Sequence, residues 1–214
     1  MKIGILGGTF NPPHLGHLRL AEEVAFTHEL SKIVFIPCFI PPHKQGEHIA
    51  SANHRFELTL RACRDNPLFE VSDLEIATHD GPSYTVDTLE FFTQDPKNDV
   101  FFIIGTDSLS EIRVWKECDR LFYLANFIVV RRPGTSFDEA WREVPAAVRS
   151  EFRQDAGNLR HSSSTRLIPS AVTGLEISAT MIRNLCKAGR SIRYLVTEPV
   201  RSYIIEYNLY RNGA

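Results

Sequence analysis

The chain has 214 residues, of which 43% are hydrophobic and 23% are charged, and its formal net charge is −2 at pH 7. These values are typical of a globular protein long enough for one sizeable α/β domain. A slightly acidic chain without a long basic tract gains little bulk attraction to nucleic acid or to an anionic membrane, so we expect neither as a partner. No apolar run reaches the ~20 residues of a membrane span.

Two further features predict a reducing, cytoplasmic setting. The N-terminus enters strand-like sequence without the basic flank and cleavage site of a signal peptide. The cysteines Cys38, Cys63, Cys118 and Cys186 form no C-x-x-C pair, which argues against a zinc site or a disulfide framework. We therefore expect a cytoplasmic protein with reduced thiols.

Short apolar runs alternate with helical patterns along the chain. The runs typical of buried strands are KIGIL, KIVFIP, FEVSDLEI, VFFIIG and NFIVVRRP, which begin at residues 2, 32, 69, 100 and 126. Amphipathic helix patterns begin at Leu15, Ser51 and Tyr84. This alternation predicts an α/β fold, namely a Rossmann-like doubly wound parallel sheet with helices on both faces.

Three later segments complete the predicted organisation. CFIPPHKQGEHIAS, from 38 to 51, reads as a mobile loop over the strand ends, and SEFRQDAGNLRHSSST, from 150 to 165, as the least ordered part of the chain. A strand-like segment ends near Ile177, and helices begin at about Ser178 and Thr197. We predict a core over 1–176 with a small helical subdomain over 177–214 packed on it, within a single domain.

The stretch GGTFNPPHLGH, from Gly7 to His17, forms a strand-to-helix turn in this scheme. His14 and His17 are three residues apart at a helix start, so their imidazoles share one face. Gly16 lets a ligand approach the backbone closely, and the helix start offers free N–H groups to phosphate. Taken alone, the two histidines also fit a helix cap and a packed ring, or a metal pair that has no third ligand nearby in sequence.

A second glycine-bearing turn follows the strand that ends at Gly105. If the first three strands wind one way and the fourth the other, the strand order reverses between the first and fourth strands. Ligands of open parallel sheets bind at that reversal, so GGTF and GTDS are expected to face one pocket.

The stretch ISATMIR, from Ile177 to Arg183, is a second candidate phosphate site. Ser178 is a plausible N-cap, Thr180 lies in the first turn, and Arg183 falls one turn later on the face of Thr180. An ordinary capped helix with a solvated arginine is the alternative interpretation of this stretch.

Together the two stretches resemble the H-x-G-H and I-S-x-T-x-x-R signature motifs of the nucleotidyltransferase superfamily. PPHK at 41–44, PSYTVDTL at 82–89, GTDSL at 105–109 and VW at 114–115 narrow the resemblance to the bacterial nicotinate-nucleotide adenylyltransferases. The similarity covers nearly the whole chain. There are two departures, because the family usually has aspartate at Asn11 and serine at Ala179.

The resemblance implies that nicotinate mononucleotide and ATP, with Mg²⁺ carried mainly by the ATP phosphates, give deamido-NAD and pyrophosphate. It implies catalytic roles for His14, His17 and Arg183. The residues it assigns to ATP are Gly8, Thr9, Phe10, Gly16, Lys44, Gly105, Asp107, Ile177, Ser178 and Thr180. Those it assigns to the mononucleotide are Asn11, Thr85, Trp115 and Lys116.

Three rival functions remain at this stage. Phosphopantetheine adenylyltransferase shares both motifs, but it is shorter and lacks the PSYTVDTL segment. A non-catalytic module that senses nucleotides would tolerate loss of the histidines and of Arg183. An NAD-dependent oxidoreductase is disfavoured because the G-x-G-x-x-G fingerprint is absent. The sequence leaves the oligomeric state open.

Overall fold

The computed structural model describes residues 1–40, 49–77, 81–131, 134 and 136–211. Most of the predicted loop over 38–51, including residues 41–48, therefore lies outside the described residues. The strands are β1 Lys2–Gly8, β2 Lys32–Pro37, β3 Phe69–Val71, β4 Asp99–Gly105, β5 Asn126–Val130, β6 Phe152–Asp155, β7 Asn158–His161 and β8 Arg166–Ser170. The helices are α1 Leu15–Thr27, α2 Ala52–Cys63, α3 Leu74–Ala77, α4 Thr85–Thr93, α5 Thr106–Ser110, α6 Cys118–Leu124, α7 Phe137–Glu143, α8 Ala146–Arg149, α9 Ala179–Lys187 and α10 Glu198–Glu206, with a 3₁₀ turn at Ile112–Val114.

The strands form one sheet in the order β3-β2-β1-β4-β5-β8-β7-β6. The pairs β1–β4, β4–β5 and β5–β8 are parallel, while β6, β7 and β8 pair antiparallel. The chain winds one way through β1, β2 and β3 and then starts again on the other side of β1 with β4, which confirms the predicted reversal. The fold is thus a mixed, mostly parallel α/β sheet flanked by helices. None of the helices in the described ranges is long and apolar enough to cross a membrane.

The chain divides into two compact units. The first contains Met1–Leu6, Val24–Ile33 and Tyr84–Gly174, and the second contains Gly7–Glu23, Val34–Ser83 and Leu175–Ala214. In the first unit, β4 and β5 are almost entirely buried. In the second, α2, α9 and α10 pack through an apolar cluster that includes Leu58, Ile182 and Val200. The predicted boundary between 176 and 177 stays a prediction.

The predicted helix starts near the C-terminus are confirmed. Ser178 caps α9, because its hydroxyl accepts a hydrogen bond from the Met181 N–H at 3.1 Å. Gly189, just beyond the end of this helix, has φ +65°, a conformation that glycine adopts without strain. Thr197 is the N-cap position of α10.

Two strand predictions are too long. FEVSDLEI forms a strand only over Phe69–Val71, because the Ser72 hydroxyl accepts from the Leu74 N–H at 3.2 Å and turns the chain into α3. The late strand ends at Ser170 rather than near residue 177. A local polar contact ends the first strand, and an irregular segment follows the second. In both runs the hydrophobicity alone is typical of a longer strand.

The prediction of low order over 150–165 is wrong. This stretch forms the antiparallel hairpin of β6 and β7, with Gln154 opposite Leu159. Ala156 and Gly157 both have positive φ, at +48° and +85°. A two-residue turn with this backbone matches the right-handed twist of the flanking strands, which favours a hairpin despite the polar composition.

The hairpin gives a pH prediction, because it buries His161. Burial lowers the pKa of this imidazole, with the Glu151 carboxylate acting in the opposite direction. The unfolded chain therefore binds the proton more readily, so the stability from neutral His161 is present above about pH 6.5 and falls at lower pH. Denaturant unfolding at about pH 7.5 and about pH 5 checks this, together with an NMR titration of His161. A His161 pKa above the ordinary histidine value would contradict the prediction.

Candidate active site

The turn after β1 presents two stacked imidazoles at the start of α1. The His14 carbonyl accepts from the His17 N–H at 2.9 Å and from the Leu18 N–H at 3.3 Å, which begins the helix. The rings of His14 and His17 have centroids 3.7 Å apart and lie 29° from parallel. The structure thus confirms that both rings share one face.

The hydrogen bonding of His17 defines which ring nitrogen can donate. Its Nδ1 accepts a hydrogen bond from the His14 backbone N–H at 3.2 Å. Because that nitrogen supplies a lone pair, the neutral imidazole carries its proton on Nε2. Half-buried His17 therefore has an Nε2–H donor suited to an anionic oxygen.

Gly16 lies close to a side chain that the sequence did not identify as its neighbour. A Cβ at this position would stand 3.0 Å from Nδ1 of His14 and 3.6 Å from the Leu175 carbonyl oxygen. The sequence predicts a close approach of a ligand to Gly16, and in the structure it is the ring of His14 that lies close to this glycine. An ATP contact to Gly16 stays a prediction.

Phe10 is held in a strained conformation within the same turn. Its φ is +46°, in the left-handed region that side chains other than glycine rarely adopt. The ring is buried, contacts the edge of His17 at a centroid distance of 5.2 Å, and lies over Gly8, whose added Cβ would stand 3.2 Å away. Phe10 therefore packs against the His17 ring, in addition to the His14 contacts that hold this ring.

The ISATMIR segment meets this turn within the second unit. Arg183 is only 8% exposed. Its Nη1 donates to the Asn11 carbonyl at 3.0 Å, and its Nη2 donates to the Thr180 hydroxyl at 3.2 Å. Two motifs whose bonded residues are 172 positions apart thus share one hydrogen-bonded cluster. The Thr180 bond also confirms the predicted shared face.

Asn11 joins this cluster to the start of α2. Its side-chain oxygen accepts from the Ala50 N–H at 3.1 Å, and the residue is 3% exposed. An aspartate, the residue that the resemblance leads us to expect at this position, would offer the same acceptor. A contact of Asn11 with the mononucleotide stays a prediction.

The first unit holds a second group of predicted site residues. Gly105 ends β4 and precedes α5, whose first turn carries Asp107. Lys116 Nζ lies 3.1 Å from an Asp87 oxygen, and this hydrogen bond raises the pKa of Lys116. Asp87 is in the first turn of α4, which begins at Thr85, so Lys116 contacts the first turn of this helix.

Trp115, next to Lys116, is half-buried. Its ring meets Phe102 edge to face at a centroid distance of 6.3 Å. The exposed part of the Trp115 ring is available for stacking on a planar ligand. The contacts predicted for Thr85, Gly105, Asp107 and Trp115 with nucleotides stay predictions, and Lys44 lies outside the described residues.

Known proteins resemble the chain along its full length. The family model described as cytidylyltransferase-like matches residues 5–185. A protein of Syntrophotalea carbinolica named "Probable nicotinate-nucleotide adenylyltransferase" is 45% identical, with 99% of this chain and 98% of the relative covered. A protein of the same name from Geotalea daltonii is 43% identical, with both chains covered in full. The chain belongs to the nicotinate-nucleotide adenylyltransferase family.

A distant relative with a solved structure has a fold similar to that of this nicotinate-nucleotide adenylyltransferase family member. Plasmodium falciparum nicotinic acid mononucleotide adenylyltransferase, complexed with NaAD, superposes with a TM-score of 0.75. The match covers 98% of this chain and 97% of that one at 19% identity, so it supports the fold.

One residue of this adenylyltransferase that our sequence reasoning missed is Arg55. It lies in α2, is 1% exposed, and donates to three backbone carbonyls around the turn after β1. A signal was present, because Arg55 occupies the same helical stripe as buried Leu58 and Ala62. An arginine on an apolar stripe needs internal acceptors for its guanidinium.

Proposed function

We propose that the protein transfers AMP from ATP to nicotinate mononucleotide, giving deamido-NAD and pyrophosphate. The observation that carries the proposal is the hydrogen bond from Arg183 to the Asn11 carbonyl, which joins both phosphate motifs in one cluster. Nε2 of His17, the guanidinium of Arg183 and the start of α9 are all donors. A set of donors of this kind suits the oxygens of a triphosphate.

The proposed reaction needs no protein nucleophile. An oxygen of the mononucleotide phosphate, already ionised at neutral pH, attacks the α-phosphorus of ATP, and the bond to the bridging oxygen of pyrophosphate breaks. The protein contributes alignment and stabilisation of developing negative charge. His14 and His17 donate to the phosphate oxygens of ATP, while Arg183 and the N–H groups at Ser178 and Thr180 hold the departing pyrophosphate.

We propose that Mg²⁺ enters bound to ATP. In the described part of the chain, no three His, Cys, Asp or Glu side chains are grouped so as to hold a metal ion. The donors of the cluster fit phosphate oxygens rather than a cation. Bound in this way, Mg²⁺ would supply positive charge to the phosphates, and the protein donors of the cluster would contact the remaining phosphate oxygens.

The start of α4 supports a preference for nicotinate over nicotinamide. Tyr84 supplies no side-chain cap there, and Thr85 begins the helix beside Lys116. Backbone N–H groups at this end favour a carboxylate. An amide would turn its own donor towards them and leave groups unpaired, which costs about 1–3 kcal/mol.

A cytoplasmic setting is part of the proposal. Burial raises the pKa of the Cys63 thiol to about 12 and also raises that of Cys186. Thiols held protonated in this way resist oxidation. We therefore expect both cysteines to stay reduced in a protein that carries out the proposed ATP-dependent reaction.

Pyrophosphate release tests the proposed function directly. The protein is mixed with ATP and Mg²⁺, and nicotinate mononucleotide, nicotinamide mononucleotide or phosphopantetheine is added in separate reactions. We expect release with the nicotinate form, and a kcat/KM about 10- to 100-fold lower with the amide. Release only with phosphopantetheine would favour the related transferase. Binding without any release would favour a nucleotide sensor.

A further inference from the structure

We propose that Arg55 is a positioning residue for this reaction, and that it acts by holding the Thr9–Asn11 turn so that His17 meets the phosphates of ATP. The proposal rests on the proposed function for the reaction that it serves. It assigns Arg55 no contact with substrate.

The guanidinium of Arg55 ties together three separate backbone segments. Its Nη1 donates to the Thr9 carbonyl at 2.9 Å, its Nη2 to the Phe39 carbonyl at 2.7 Å and its Nε to the Ala50 carbonyl at 3.0 Å. Thr9 follows β1, Phe39 follows β2 and Ala50 precedes α2. A planar guanidinium reaches three such acceptors at once, whereas an ammonium on a flexible stem does not hold the same fork.

The turn is also held from its other end. Arg183 donates to the Asn11 carbonyl, two residues beyond the carbonyl that Arg55 holds. Ala50 links the two ends, because its carbonyl accepts from Arg55 while its N–H donates to the side chain of Asn11. Two arginines therefore hold this turn, one at each end, through hydrogen bonds to its backbone carbonyls.

The residue between the clamped carbonyls is the strained Phe10. A non-glycine residue with positive φ persists only where its surroundings over-determine it. Releasing Thr9 removes one of these constraints and lets Phe10 relax. Since the ring of Phe10 contacts the edge of His17, relaxation of the turn displaces the imidazole.

Two kinetic constants of Arg55→Lys, kcat and KM, test this inference. We expect kcat to fall about 10- to 100-fold while KM for nicotinate mononucleotide changes by less than about threefold. The control is Leu58→Val, which trims a fully buried side chain one turn along α2. Its melting temperature is expected to fall while kcat per folded molecule stays within about twofold of the parent.

A spectroscopic readout keeps this inference separate from the proposed function. The imidazole resonances of His17 are compared by NMR in the parent, Arg55→Lys and Leu58→Val. We expect a shift only in Arg55→Lys, whatever substrate the protein uses. If the parent releases no pyrophosphate, the proposed function fails while the NMR comparison still tests Arg55.

Three outcomes would overturn the positioning role. The first is a parent-like kcat and unchanged His17 resonances in folded Arg55→Lys. The second is an equal loss of kcat per folded molecule in Leu58→Val. The third is failure to fold of both Arg55→Lys and Arg55→Gln, since Arg55 would then be needed for folding rather than for positioning.

Discussion

Alanine at His17 is expected to lower kcat by on the order of 10²-fold or more, the usual effect of losing one preorganised donor to a charged transition state. The Nδ1 of His17 accepts the His14 N–H, so its Nε2–H is the donor that is lost. Rates of pyrophosphate release at saturating substrates measure the effect. Removal of a half-buried ring is expected to leave the melting temperature nearly unchanged.

Two further variants show whether the donor itself matters. Glutamine at His17 places an amide N–H near the position of Nε2 and should recover part of the lost rate. His54, a histidine of the same unit that hydrogen-bonds Tyr203 at 3.0 Å, supplies the control, and His54→Ala should keep the parental kcat. A parental kcat in His17→Ala would mean that this imidazole only packs.

Replacement of Arg183 is expected to cost about 10²- to 10³-fold in kcat. In the proposed reaction this side chain stabilises negative charge on the phosphates, and in the structure it also holds the Asn11 carbonyl and the Thr180 hydroxyl. Arg183→Ala loses both contributions. Arg183→Lys keeps the charge but not the planar fork, so we expect it to recover little of the rate.

The control for Arg183 comes from the same helix. Lys187 is exposed in the last turn of α9, and Lys187→Ala removes a cation without touching the cluster. Circular dichroism and melting temperatures identify any loss of folded protein, and kcat is expressed per folded molecule. Full activity in Arg183→Lys would show that only the positive charge is needed.

The features that could be predicted from sequence are those fixed by short-range contacts. Ser178 caps α9 through a neighbour three residues away, and His14 and His17 share a face because of helical spacing. The doubly wound α/β class followed from the alternation of apolar runs with helical patterns, whereas the strand order entered only as an assumption that the structure bears out. In each case the interaction that decides the structure lies within a few residues or follows from a general packing rule.

The wrong predictions came from treating composition as structure. The polar stretch over 150–165 forms a hairpin because Ala156 and Gly157 provide the backbone twist of its turn. The FEVSDLEI run stops as a strand where the Ser72 hydroxyl accepts from the Leu74 N–H and the chain turns into α3. Average polarity and hydrophobicity carry no information on such contacts.

The sequence alone determined the family, the doubly wound sheet and the two phosphate motifs, because local spacing and resemblance encode them. Only the tertiary structure showed that Arg183 holds the Asn11 carbonyl, that Gly16 makes room for His14, and that Arg55 clamps the turn from inside. These contacts join residues that are distant along the chain or depend on ring orientation. Hydrogen-bond geometry of this kind is set when the segments pack, and no periodicity in the sequence records it.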